Sequence, residues 1–297
     1  MLSSEPTRIV SHQSPMGRWE MALRKPHELL RRHVRQYVGW FEHMTTALMR
    51  RELPTDEIPL IINFGSPVRV YDVGESAKFA DLDSFATGAY DAFLRVRSQG
   101  PSGGVQVNFT ILGARLFLGR PLGELRNQSV PLEVLVGRYG IELTERLRDA
   151  SSWEARFDLL DREIGKRLEA AQRPSASVIC TWHRLLQTGG GVTIGDLVDE
   201  TGWSQKHLIA RFKHEIGLPP KTMARVLRFA RAAARLKRVA ALPRAASADR
   251  LADIAADCGY YDQAHFSRDF REFAGVTPTE LVANVLPDGA GIQADEP

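Results

Sequence analysis

The chain has 297 residues, 43% of them hydrophobic and 25% charged, the proportions of an ordinary globular protein with room for two domains. A mini-protein, a collagen-like repeat and a wholly disordered chain are excluded. The net charge of +3, from 39 Lys and Arg against 36 Asp and Glu, points to no particular partner.

The first residues, with Glu5, Arg8 and His12 among them, lack the apolar core of a secretory signal. No run approaches the ~20 apolar residues that a bilayer span needs, so a cytoplasmic protein with no membrane partner is expected. Short β-type segments follow at residues 58–64, 68–73, 93–97 and 105–112. Several alternate apolar and polar residues, and Gly65-Ser66-Pro67 and Gly100-Pro101-Ser102-Gly103-Gly104 punctuate them. This pattern reads as a small β-sandwich or barrel. The aromatics Phe64, Tyr71, Phe79, Phe85, Tyr90, Phe93 and Phe109 either line an effector pocket or fill a plain core.

From about Ala114 the pattern turns helical. Trp153, Phe157, Leu160, Ile164 and Leu168 recur at three- and four-residue steps behind a capping box, Ser151-x-x-Glu154. This helix either meets a partner protomer or packs on its own domain, with a dimer interface slightly favoured. The chain then divides into a sensing or dimerisation domain with C-terminal helices at 1–173, a linker at 174–177, an all-α domain at 178–286 and a disordered tail at 287–297.

The all-α part contains a repeat. His207-Leu208, Phe212, Gly217 and Pro220 are matched 58 residues later by His265-Phe266, Phe270, Gly275 and Pro278. Each copy follows a short helix and a glycine turn, Gly202-Trp203 in the first and Gly259-Tyr260 in the second, which is the helix-turn-helix layout. Leu208 and Phe212, then Phe266 and Phe270, form the buried stripes. Candidate DNA contacts are Ser204, Gln205, Lys206, Ile209 and Lys213 in the first copy, and Asp262, Gln263, Ser267, Arg268 and Arg271 in the second. Gln pairs with adenine edges, and Arg or Lys with guanine or phosphate.

Charge concentrates in the same place. From Ser204 to Ala240 ten basic residues stand against one acid, Glu215, a distribution suited to a polyanion. A helix spanning residues 220–240 would be about 31 Å long at ~1.5 Å per residue, close to the ~34 Å between successive major-groove faces. Its basic side, Lys221, Arg225, Arg228, Arg231, Arg235 and Arg238, serves phosphate contact or local salt bridges with equal weight.

At these residues the sequence resembles the AraC/XylS family of bacterial transcription regulators. The second copy carries the resemblance most fully, in Ile254-Ala255-x3-Gly259-Tyr260-x4-His265-Phe266-Ser267-Arg268-x-Phe270-Arg271-x3-Gly275-Val276-Thr277-Pro278. The first copy departs from it at Ala210, where the family shows arginine, and at Met223, where it shows an aromatic residue. The resemblance spans about residues 177–284. It implies two helix-turn-helix units on a linker helix, asymmetric double-stranded DNA sites read by one protomer, and RNA polymerase as a partner.

The N-terminal part resembles, less specifically, the cupin-type sensing domains fused to such modules, which implies an unknown small-molecule effector and a possible homodimer. The fold class expected is therefore α+β multidomain, a cupin-like β-sandwich or barrel followed by an all-α domain. No histidine lies between His43 and His183, so no metal or other cofactor is expected, and His12, His27, His33 and His43 read as surface or pairing residues.

An enzyme is the alternative class. The two cysteines, Cys180 and Cys258, stand far apart with no metal-ligand spacing, and neither lies in the activating setting that an alkyl-transfer repair domain needs. No Gly-x-Ser-x-Gly or phosphate-binding loop is present, so no catalytic residue is assigned.

Overall fold

The structure, a computed structural model, describes residues 5–14, 17–44, 47–73, 75–98, 100–240, 247–286 and 291–294. Eleven strands are formed among them: β1 (Arg8–Ser14), β2 (Gly17–Arg24), β3 (Val34–Met44), β4 (Met49–Glu52), β5 (Glu57–Asn63), β6 (Val68–Asp72), β7 (Glu75–Leu82), β8 (Phe85–Thr87), β9 (Leu94–Ser98), β10 (Ser102–Thr110) and β11 (Ser129–Pro131). They make a seven-stranded sheet in the order β1-β2-β3-β10-β5-β8-β11 and a four-stranded sheet in the order β4-β9-β6-β7. Every pairing is antiparallel.

The expected double-sheet N-terminal domain is present, and the four sequence-derived strands fall on β5, β6, β9 and β10. The strands β1 to β4, β7, β8 and β11 were not anticipated. In β1 to β3 charged and polar residues interrupt the alternation, because β1 and β2 form an outer ribbon with little buried on either side.

Alternation along the central strands separates two environments. Tyr37 of β3, Val105, Val107 and Phe109 of β10, and Leu60 and Ile62 of β5 are fully buried. This side is backed by α1 (Ile111–Leu118) and α4 (Trp153–Ala170), with α2 (Leu132–Val136) and α3 (Arg138–Asp149) between them in the chain. The intervening residues Trp40, Gln106, Asn108 and Ile61 point the other way, into the space between the sheets.

The apolar stripe of α4 belongs to this domain. Phe157, Leu160 and Ile164 have no exposed surface, and Phe157 stacks on Tyr37 at 5.6 Å. Trp153 lies so close over Gly39 that any side chain there would strike its ring. Buried Arg24 holds the helix through Asp158 at 2.6 Å and Asp161 at 2.9 Å. The stripe is therefore not available to a partner protomer, which corrects the expectation of an interface there. The capping box also shifts: Ser152, not Ser151, caps α4, accepting from the Ala155 amide at 3.2 Å. Alanine has no side chain to reciprocate, so a single cap forms.

The C-terminal part is all helical: α5 (Ala176–Gln187), α6 (Ile194–Thr201), α7 (Gln205–Ile216), α8 (Pro220–Ala240), α9 (Ser247–Asp257), α10 (Gln263–Ala274) and α11 (Pro278–Ala283). Ser175 caps α5 through the Val178 amide, so α5 begins inside the expected linker and the connection occupies residues 171–175. One apolar core continues from the helix-backed face of the large sheet through α1 into α7, α8 and α10.

The end of the chain is not an unordered tail throughout. Residues 291–294 lie antiparallel to β4, with Arg51 N donating to Ile292 O at 2.8 Å and Ala294 N to Met49 O at 3.1 Å. Ile292 and Ala294 are buried, which gives this short segment an apolar reason to stay. Residues 287–290 and 295–297 of the expected tail lie outside the described residues.

Candidate nucleic-acid interface

Each repeat folds as helix, turn and helix. Thr193 caps α6 in a reciprocal box with Asp196, and α6 ends at Gly202, whose φ of 67° is the left-handed value that glycine adopts freely. In the second copy Gly259 plays the same part at φ 80°. Leu208 and Phe212 in α7, and Phe266 and Phe270 in α10, are fully buried, as the spacing requires. Their burial leaves the opposite faces of both helices turned outward.

On those faces Gln205, Lys206 and Lys213 of α7 and Gln263, Arg268 and Arg271 of α10 are exposed, whereas Ile209 and Ser267 are half-buried. Ser204 and Asp262 are exposed and already have work within the fold. Ser204 Oγ accepts from the His207 amide at 3.4 Å, and Asp262 Oδ1 from the His265 amide at 2.7 Å, so each caps its recognition helix. Whatever else they touch, they fix where α7 and α10 begin.

The turn of the second copy holds a residue that the sequence reading did not single out. The paired histidines are 58 positions apart but the turn glycines, Gly202 and Gly259, 57, so the second turn carries one extra residue. That insertion is Tyr261, which is 94% exposed immediately before the helix cap. The one-residue mismatch between the repeats was the signal that would have found it.

Most arginines on the basic side of α8 have partners within the fold. Arg225 binds Asp269 at 2.7 Å and Glu272 at 2.5 Å on α10, and these carboxylates raise its pKa further above the ordinary guanidinium range. Asp269 is 1% exposed, so this is a buried attachment. Arg235 meets the Asp257 carboxylate at 2.5 Å, and Arg231 donates to the Asp257 carbonyl at the C-terminal end of α9, the end that favours positive charge. Arg228 donates to Gly190 O at 2.9 Å, ahead of α6. Of the two roles open to these arginines, the structure shows the local one: they fasten both units to the connecting helix. Lys206, Lys213, Lys221, Lys237 and Arg238 remain exposed.

Both units also meet the N-terminal domain. Glu215 at the end of α7 pairs with Arg115 of α1 at 2.7 Å, both buried. At the end of α10, Arg51 of β4 donates to the Ala274 carbonyl and stacks over Phe93, and Phe93 lies against Gly275. The neighbouring Arg50 points into the space between the sheets, where it pairs with Glu42 at 2.6 Å and donates to Ser98 at 3.1 Å. Strand alternation therefore aims one arginine of β4 at the interior and the next at the second recognition helix.

The interior is a cavity of about 990 Å³, the upper part of the range for small-molecule sites. Of the aromatics singled out in the sequence, Phe85 and Tyr90 line it. Burial pushes the Tyr90 hydroxyl up to about 12, so it stays protonated, 3.1 Å from Ser129 Oγ. Phe109 is core on the opposite side of the sheet, and Phe93 belongs to the domain contact. Leu286, Gly291 and Gln293 from the C-terminal segment complete the cavity rim.

Residues 197–284 match the model of a family described as a helix-turn-helix domain. The C-terminal region is an AraC-type helix-turn-helix domain. With this domain the chain is a DNA-binding transcription regulator. Similar solved structures include ToxT from Vibrio cholerae O395, at 12% identity over 82% of this chain and 97% of that one, with a TM-score of 0.46. Unsaturated fatty acid bound ToxT from Vibrio cholerae strain SCE256 is similar at 11% identity over 81% and 96%, with a TM-score of 0.45. The AraC-like transcriptional activator CuxR is similar at 13% identity over 69% and 80%, with a TM-score of 0.33. No curated protein matches the chain in sequence.

Cys180 is exposed on α5, and Cys258 is buried, with its thiol pKa raised by that burial. Among the described residues no group of three or more His, Cys, Asp or Glu is placed to hold a metal ion, and no helix is long and apolar enough to cross a membrane.

Proposed function

We propose that the chain is a sequence-specific regulator whose two helix-turn-helix units read successive major grooves of one promoter site. The observation that carries this reading is the pair of outward-facing recognition helices fastened to one 21-residue helix, α8, about 31 Å long at ~1.5 Å per residue. In this reading Gln205, Lys206, Ile209 and Lys213 meet DNA from α7, and Gln263, Ser267, Arg268 and Arg271 from α10. Ser204 and Asp262 set the helix starts and present their capped N-termini to phosphate.

The N-terminal domain is proposed to sense a small molecule in the cavity between its sheets. Strand β4 supplies a physical route from cavity to DNA, since Arg50 lines the one and Arg51 caps the second recognition helix. Self-association and contact with RNA polymerase belong to the same reading. The exposed apolar residues Val134 of α2 and Ile141 of α3 suit a dimer contact better than the internal stripe of α4.

Selection of binding sites from random DNA, followed by titration of the winner, tests the reading. Submicromolar affinity that falls steeply with salt is expected. Equal affinity for the selected site and for random duplex would overturn it.

A further inference from the structure

The cavity carries chemistry of its own, and an inference about it rests on the sensing reading above. We propose that its ligand is a small amine, with an apolar aromatic or alkyl body and a cationic head.

The walls favour an apolar body. Met21, Ile61 and Phe85 from the large sheet face Val70, Leu94 and Val96 from the small one. Burial of such a body is worth roughly 25 cal/mol per Å² of apolar surface, so it supplies affinity but no choice of head group.

Charge supplies that choice. The ionisable lining comprises Glu20, Glu42, Glu52 and Glu57, with Arg50 and His12. Arg50 is committed to Glu42, through contacts of 2.6 and 3.3 Å, and to Ser98. Glu20 accepts from Trp153 Nε1 at 2.9 Å, and Glu52 and Glu57 complete the carboxylates of the lining. Burial, and then the charge of neighbouring Asp56, push the Glu57 carboxyl above its ordinary value. An anionic head entering this space would meet like charge, and a cationic head the opposite.

Hydrogen bonding points the same way. Three donors of the wall are already used: Trp40 Nε1 bonds Ser102 Oγ at 3.0 Å, Gln106 Nε2 bonds Asn108 Oδ1 at 2.6 Å, and Arg50 holds Glu42. The carboxylates of Glu52 and Glu57 in the lining suit a ligand that brings donors, of which an ammonium brings three. Trp19 and Trp40, both in the lining, add ring faces that attract a cation.

The test uses the full chain and probes that differ only in the head group: octylamine, octanol and octanoate, with 2-phenylethylamine, 2-phenylethanol and 3-phenylpropanoate as the aromatic set. Calorimetric titration is expected to rank amine first and carboxylate last, with the amine about tenfold tighter than the alcohol. The double variant E52Q/E57Q, checked for fold by circular dichroism, should lose most of the amine preference and keep its alcohol affinity. Carboxylates binding as tightly as amines, no probe binding, or equal losses of amine and alcohol in the variant would each overturn the amine assignment.

Val96→Trp, which fills the cavity, separates this outcome from a failure of sensing. If promoter output in cells changes on filling while no amine binds, the cavity senses something else. If output is unmoved, sensing itself is wrong.

Discussion

The two helix-turn-helix units share one plan and spend their charged residues differently. In the first, the acid at the end of the recognition helix, Glu215, reaches out to Arg115 of the N-terminal domain. The second unit has Phe273 at the matching position, packed on Phe229 of the connecting helix at 5.3 Å. Its buried acid, Asp269, stands where the first unit has the exposed Arg211, and turns inward to Arg225. The first unit is thus built into the domain contact, whereas the second is built around α8 and meets the N-terminal domain through Arg51. A repeat inherited as one motif is anchored twice, in opposite directions.

The strongest challenge to this contrast is Arg115→Ala. It leaves Glu215 buried without its main partner, and a loss of about 3–5 kcal/mol is expected, measured by chemical denaturation. Hydrogen exchange should rise in α7 before α10; the reverse order would remove the asymmetry. Arg225→Ala is the counterpart. It should cost about 3 kcal/mol and loosen α10 first.

Effects on DNA come next in size. Arg268→Ala is expected to cost about 1–3 kcal/mol at the preferred site and to relax preference at one base position. Lys213→Ala should weaken all sequences alike and lower the salt slope by about 1. Matched losses for the two would show that the units do not divide reading and positioning in this way. The smallest change is expected for Tyr261→Ala, a few-fold loss of affinity with unchanged stability, because the side chain packs on little and stands beside the helix cap. A drop in melting temperature instead would mean that the extra turn residue is structural.

Much of the DNA-binding half was legible in the sequence. The repeat of His207 and His265, the glycine turns and the apolar stripes are local: a helix shows its buried face every three or four residues wherever it sits, and α8 runs over the 21 residues that the pattern marks. The candidate contacts were legible as residue types on an outward face. The charge run was legible as a total but not as a set of roles, because an arginine aimed at phosphate and one aimed at Asp269 look alike in one dimension.

The N-terminal half was less open to reading. Strands 58–64 and 105–112 announce themselves by alternation, whereas β1 to β3 depend on neighbours far along the chain for their order. The cavity is readable only once the register sets Trp40, Gln106 and Ile61 side by side and brings Arg50 across from them.

Composition, period and repeat therefore specified the two-part chain, the helix-turn-helix pair and the length of the helix between them, since these follow from side-chain volume and backbone geometry within a few turns. The partners of the α8 arginines, the Arg115–Glu215 contact, the C-terminal segment laid on β4 and the carboxylates gathered around the cavity came from the folded arrangement. Each depends on which distant carboxylate or strand edge comes within about 3 Å, the range over which a hydrogen bond acts. The near-neutral total of +3 hid both a basic outward face for DNA and the carboxylates that line the cavity.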